Sequence, residues 1–275
     1  MTVETSADAP SIHSVQTGED GAERRLVFLH GLFGRGKNFA TIAKALQPEF
    51  RSLLVDLPNH GRSAWTEDFD YVQMADAVAG HLRAGFAQDG PVDVLGHSMG
   101  GKVAMVLALR HPDLVRKLIV EDISPVGTGS GRSEFDHLLS ALKDVDLGSV
   151  RSRADADAAL QDRIPERGVR GFLLQNLTRT ADGFAWEPNL DLLHGQLDTI
   201  MGFPADQVEG QSFDGPVLWM GGEKSPYVKD EDEPVMEGYF PRTLRVTVKG
   251  ATHWVHSDQL ESFTAALRTF LLAAD

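Results

Sequence analysis

The run Val92 to Leu95, apolar except for Asp93, breaks directly into Gly96-His97-Ser98-Met99-Gly100, and a long helix-compatible stretch follows. Few backbones accommodate that order. The pattern G-x-S-x-G between a strand and a helix describes a sharp turn that lifts a serine hydroxyl out of the backbone. Small residues at 96 and 100 are required because a Cβ at either position would crowd the turn. The turn alone is weak support for chemistry. Gly and Ser each fill roughly 7% of positions, so three fixed sites match by chance in about one chain in ten of this length. The surrounding pattern therefore has to decide.

Around this turn, short apolar runs alternate with longer amphipathic segments. Leu26–Leu29, Ser52–Val55, Val92–Leu95 and Leu118–Val120 read as buried parallel strands. Asn38 to Leu46 reads as a helix. Tyr71, Met74, Ala75, Val78, Leu82 and Phe86 mark a second, and Ser98 to Arg110 a third that Pro112 stops. Strand–helix alternation implies an α/β fold with a doubly wound, mostly parallel sheet.

From Pro125 to Phe213 the rhythm changes. No clear strand is expected there, only helices near Phe135–Leu142, Asp155–Arg163, Gly171–Leu177 and Leu190–Met201. Strands resume at Val217–Met220 and Leu244–Val248, and a helix over Gln259–Leu272 closes the chain. The expected organisation is a core over 1–124, an inserted helical cap over 125–213 and a second core part over 214–275. Residues 1–10 read as a mobile tail.

With 275 residues, 42% of them hydrophobic, the chain has material for one large core. A net charge of −14 repels phosphate backbones and anionic lipid, so neither nucleic acid nor membrane is an expected partner. The absence of cysteine excludes disulfides, thiolate catalysis and Cys-based metal sites. The first 24 residues lack a basic and an apolar signal region, which reads as a cytoplasmic protein. No metal-binding motif and no phosphate loop appears, so neither metal nor cofactor is expected.

Four motifs fall at the ends of expected strands, where open α/β sheets bind their ligands. Ser98 is the candidate nucleophile. A serine hydroxyl attacks a carbonyl only when a base takes its proton, and histidine has a suitable pKa. His253, in Gly250-Ala251-Thr252-His253-Trp254 after a late strand, suits that role better than His256 or His97. The base needs a carboxylate to fix its tautomer. The loop after Val217–Met220 reads Gly221-Gly222-Glu223-Lys224-Ser225-Pro226 and has no Asp. Asp122, at the end of an earlier strand, is therefore the first candidate, with Glu223 second and Asp191 third. The oxyanion needs two backbone N–H groups. Met99 supplies one, and Leu32, in His30-Gly31-Leu32-Phe33-Gly34, is the choice for the other, with Phe33 as the alternative. Phe33, Phe135, Phe172 and Trp254 are the candidate substrate-binding residues. Among cap aromatics, Trp186 and Phe203 are further candidates for shaping selectivity.

The runs HGLFG, DLPNHGRS, GHSMGGKVAM, VEDISPV and GATHWVHSDQLESF together resemble the α/β-hydrolase superfamily. More narrowly, they resemble YbfF-type bacterial esterases and their mitochondrial abhydrolase relatives. The resemblance runs from about Leu26 to Leu272. It implies the α/β-hydrolase fold with a small helical cap. The implied activity is a serine carboxylesterase taking short to medium acyl esters or thioesters as small-molecule substrates. The expected assembly, which the resemblance does not fix, is a monomer or dimer. It also supports Asp122 as the acid. Pro58 departs from the pattern, since relatives carry Arg before the Asn-His-Gly run. Two other readings stand beside this one: hydrolysis of lactones, thioesters or C–C bonds by the same triad, and a ligand-binding protein in which hydrolysis is vestigial.

Overall fold

The computed structural model describes residues 10–19, 21–129 and 131–274. The expected mobile tail over 1–10 lies outside them except for Pro10. Nine strands occur among the described residues: β1 (Ser14–Thr17), β2 (Arg24–Leu29), β3 (Phe50–Val55), β4 (Val92–His97), β5 (Val115–Glu121), β6 (Leu177–Thr180), β7 (Gly183–Trp186), β8 (Val217–Gly222) and β9 (Thr243–Val248). Seven form one sheet in the order β1-β3-β2-β4-β5-β8-β9. Only β1 runs antiparallel; every other pairing in that sheet is parallel.

The two faces of this sheet sort the strand residues by parity, as a period of two demands. Val27, Leu29, Val94, Val120 and Trp219 enter one core, with helices α2 (Tyr71–Arg83) and α3 (Met99–Arg110). Leu26, Phe28, Leu95, Ile119 and Met220 enter the other. That second core is shared with α1 (Ala40–Ala45) and α11 (Leu260–Leu272). Burial on both faces explains why these strands read as continuous apolar runs. Helix α2 begins where the Asp70 carboxylate accepts the N–H groups of Val72 and Gln73. Helix α3 is buried from Met99 through Leu109, which is why it shows no polar stripe.

Between β5 and β8 lies the inserted block: α4 (Arg132–Lys143), α5 (Arg153–Leu160), α6 (Arg167–Leu173), α7 (Leu190–Gly195) and α8 (Leu197–Met201). It is tied to the sheet layer at several points. The Asn189 N–H donates to the Asn59 carbonyl at 3.0 Å, and Arg35 pairs with Glu187 at 3.0 Å. Beyond it, α9 (Glu233–Tyr239) links β8 to β9, and the single turn α10 (Val255–Asp258) precedes α11.

Three expectations change. The block is not free of strands: β6 and β7 form a hairpin, Leu177 facing Trp186. Each strand has four residues, of which only Leu177 is buried, too few for a readable alternation. The single helix expected over Leu190–Met201 is two, parted where Gln196 takes φ −107° and ψ 19° after Gly195. The edge strand β1 was not expected at all, because its polar SVQT sequence is largely exposed. Among the described residues, no helix is long and apolar enough to cross a membrane.

Candidate active site

Ser98 sits between β4 and α3 at φ 53°, ψ −120°, a conformation that costs an L-residue about 1–3 kcal/mol. The flanking glycines make it possible. A Cβ on Gly96 would overlap the Gly100 carbonyl, and one on Gly100 would overlap the carbonyls of Leu29 and His30. A Cβ on Gly31 would come within 2.9 Å of His97 Nδ1 and 3.2 Å of Ser98 Cβ. Its absence brings the loop carrying Leu32 against the serine. Leu32 and Met99, the first residue of α3, border the same small cavity beside Ser98.

Ser98 Oγ stands 3.0 Å from His253 Nε2, and His253 Nδ1 stands 2.7 Å from Asp122 Oδ2. Asp122 follows β5 directly and, like Ser98, has a positive φ, 54°. It is fully buried and further held: Oδ1 accepts the Gly222 N–H at 2.8 Å, and Oδ2 accepts the Ser225 hydroxyl. These bonds fill its acceptors and fix its orientation. Glu223 and Asp191 occupy other places. Glu223 accepts the Gly250 N–H at 2.8 Å from an exposed position. Asp191 pairs with Lys143 on the surface. The loop after β8 does contribute to the carboxylate, through Ser225 rather than through an acid of its own.

The His253 ring is packed between Tyr227, with centroids 4.3 Å apart, and His97, at 4.8 Å. Burial lowers the His97 pKa to about 3, so its ring is neutral and its Nε2–H donates to the His253 carbonyl at 2.9 Å. A second carboxylate–imidazole pair lies alongside. Glu121 Oε1 accepts both the backbone N–H of His256, at 2.9 Å, and its ring Nδ1–H, at 2.7 Å. Burial works against both charges, yet their mutual attraction wins: the His256 pKa is raised and that of Glu121 lowered. His97, Glu121 and His256 are also the one group among the described residues whose ligand atoms approach closely enough, within 4.8 Å, to hold a metal. The two bonds from His256 already occupy Glu121 Oε1, as an ion pair requires.

A cavity of about 200 Å³ opens over Ser98 and His253. Phe33, Phe135, Phe172 and Trp254 all line it. The Phe33 and Phe135 rings lie 6.3 Å apart, and those of Phe172 and Trp254 6.4 Å. Trp186 and Phe203 do not line it. The Trp186 indole N–H donates to the Leu142 carbonyl at 3.1 Å, and Phe203 packs on Tyr239 at 5.8 Å. Trp186 thus packs within the inserted block, and Phe203 packs that block against α9.

Sequence reasoning missed several residues. Ser225, Tyr227 and the Glu121–His256 pair carry no motif of their own. Asn176, buried in the inserted block, donates to the Phe33 carbonyl at 2.7 Å and braces the Leu32 loop. His30 ties that loop inward, with Nδ1–H donating to the Gly31 carbonyl and Nε2 accepting the Leu57 N–H.

A family model described as the alpha/beta hydrolase fold matches residues 24–260. The chain belongs to the α/β-hydrolase family. It is 41% identical to the mouse sn-1-specific diacylglycerol lipase ABHD11, an alignment covering 90% of this chain and 80% of that one. It is 31% identical to the Escherichia coli esterase YbfF, over 90% of this chain and 92% of the relative. Among solved structures, a marine microorganism esterase superposes with a TM-score of 0.88 at 34% identity, covering 95% of this chain and 99% of that one.

Proposed function

We propose that this protein is a serine carboxylesterase that cleaves short to medium acyl esters through an acyl-enzyme. One observation carries the reading: the continuous contact from Ser98 Oγ through both nitrogens of His253 to the buried Asp122. The esterase and lipase names of its relatives point the same way.

The chemistry follows from the geometry. Ser98 Oγ attacks the ester carbonyl carbon while His253 Nε2 takes its proton. Asp122 accepts the Nδ1–H, fixes the tautomer and stabilises the imidazolium. The carbonyl oxygen, now anionic, meets the N–H groups of Leu32 and Met99. The C–O bond to the alcohol then breaks, and the leaving oxygen takes the proton from His253 Nε2. A water, deprotonated by the same nitrogen, attacks the acyl carbon; the bond to Ser98 Oγ breaks, Oγ takes the proton back from His253 Nε2, and the acid leaves. No cofactor enters this sequence.

In this reading, residues 125–213 act as a cap between the core parts 1–124 and 214–275. The cap aromatics Phe135 and Phe172 pack on Phe33 and Trp254 respectively, and all four line the substrate cavity. The test is turnover of p-nitrophenyl acetate and butyrate. Wild type hydrolyses both, and Ser98→Ala, folded by circular dichroism, hydrolyses neither above background. Retained turnover in that variant overturns the proposal.

A further inference from the structure

Two cavities meet at Ser98. The larger, of about 200 Å³, carries His253 and Trp254. The smaller, of about 20 Å³, is walled by Met99, Lys102, Ile123, Thr128, Ile200 and Met201, and His253 does not border it. The proton returned by His253 must reach the leaving oxygen, so the alcohol departs on the His253 side, into the larger space. The acyl chain is left the smaller one, beside Met99. One water-sized sphere fills about 10–15 Å³, so this cavity holds a methyl or ethyl group and little more.

The far wall of the small cavity is the end of α8, a helix of five residues that has no stability of its own. It is held from the core. Lys102, on α3 and 2% exposed, reaches across with Nζ donating to the carbonyls of Ile200, Met201 and Gly202 at 3.2, 2.9 and 2.6 Å. Tyr71 Oη adds a second donor to the Ile200 carbonyl at 2.6 Å. These carbonyls at the negative end of the helix have no partner within it, and a cation is favoured there; the Met201 carbonyl also accepts the Thr128 N–H at 3.0 Å. All three ammonium protons are committed there, so the charge acts on the wall and not on a substrate. Burial lowers the Lys102 pKa to about 7, so the full set of three donors is present below that pH.

We propose that Lys102 is a specificity-determining residue: by pinning the end of α8 it fixes the wall of the acyl cavity and favours acyl groups of about two or three carbons over longer ones. This rests on Ser98 being the nucleophile.

The test is kcat/KM over a p-nitrophenyl series from acetate to octanoate, on the full chain. Wild type should fall at least about tenfold between propionate and hexanoate, since one misplaced methylene is worth roughly 10–200-fold. In Lys102→Met the hexanoate-to-acetate ratio should rise about tenfold or more. Met201→Ala, which widens the cavity and leaves the backbone carbonyls paired, should raise it likewise. A flat wild-type profile, or an unchanged ratio in Met201→Ala, overturns the cavity assignment. A ratio raised in Met201→Ala but unchanged in Lys102→Met overturns the role of Lys102. If Lys102→Met does not fold, Tyr71→Phe replaces it, a raised ratio supporting the pin and an unchanged one overturning it. Failure of the serine reading is separate, since it shows as acetate turnover surviving in Ser98→Ala.

Discussion

Glu121 and Asp122 are neighbours at the end of β5, and each carboxylate holds a different imidazole from the segment after β9. Asp122 bonds His253 at 2.7 Å and Glu121 bonds His256 at 2.7 Å. One strand end thus fixes both sides of the turn that presents His253. Because β4 and β5 are adjacent and parallel, the serine turn and this pair of acids emerge side by side.

Asp122→Asn tests the orienting carboxylate. The amide cannot offer Nδ1–H of His253 the same acceptor charge, and it favours the wrong tautomer. We expect kcat to fall by roughly 10³–10⁴, with KM changed much less. Steady-state kinetics on p-nitrophenyl acetate read this directly. A loss below tenfold removes Asp122 from the account.

Glu121→Gln tests the neighbouring pair through stability. Lowering of the Glu121 pKa contributes stability above its ordinary value of 4.5, lost as pH falls through the lowered value. Raising of the His256 pKa contributes stability that is complete below 6.5 and lost as pH rises through the raised value. Both contributions are therefore complete between 4.5 and 6.5. The difference in Tm between wild type and Glu121→Gln should be largest there and narrow toward alkaline pH. Thermal melts from about pH 5 to about pH 9 check it, and a constant difference counts against the pair.

Asn176→Ala probes how the inserted block supports the Leu32 loop. Phe33 holds φ 62°, a strained conformation, and its carbonyl would lose the buried amide donor. Stability should drop by about 1–3 kcal/mol. Full loss of an oxyanion donor costs about 10²–10³ in kcat, so a displaced one should cost roughly tenfold. Denaturant unfolding and kcat on acetate measure the two effects. An unchanged kcat separates Asn176 from the loop.

The parallel strands were legible because both faces of each are buried, which leaves runs such as Leu26–Leu29 uniformly apolar. Ser98, Asp122 and His253 were legible because each sits at a strand end beside residues that special backbone geometry demands. What escaped reading depends on tertiary contact. Ser225 is unremarkable until the loop after β8 meets Asp122, and Lys102 reads as one more helix lysine until α8 packs above it. The hairpin β6–β7 and the edge strand β1 are short and half-exposed, so no hydrophobic period betrays them.

Covalent labelling by a fluorophosphonate at neutral pH, followed by peptide mass spectrometry, tests the central claim most directly. The reagent reports a serine activated by its base, independent of which ester the enzyme prefers. The account predicts one label per chain, located on Ser98, and none in Ser98→Ala. An unlabelled wild type, or a label that persists in Ser98→Ala, contradicts it.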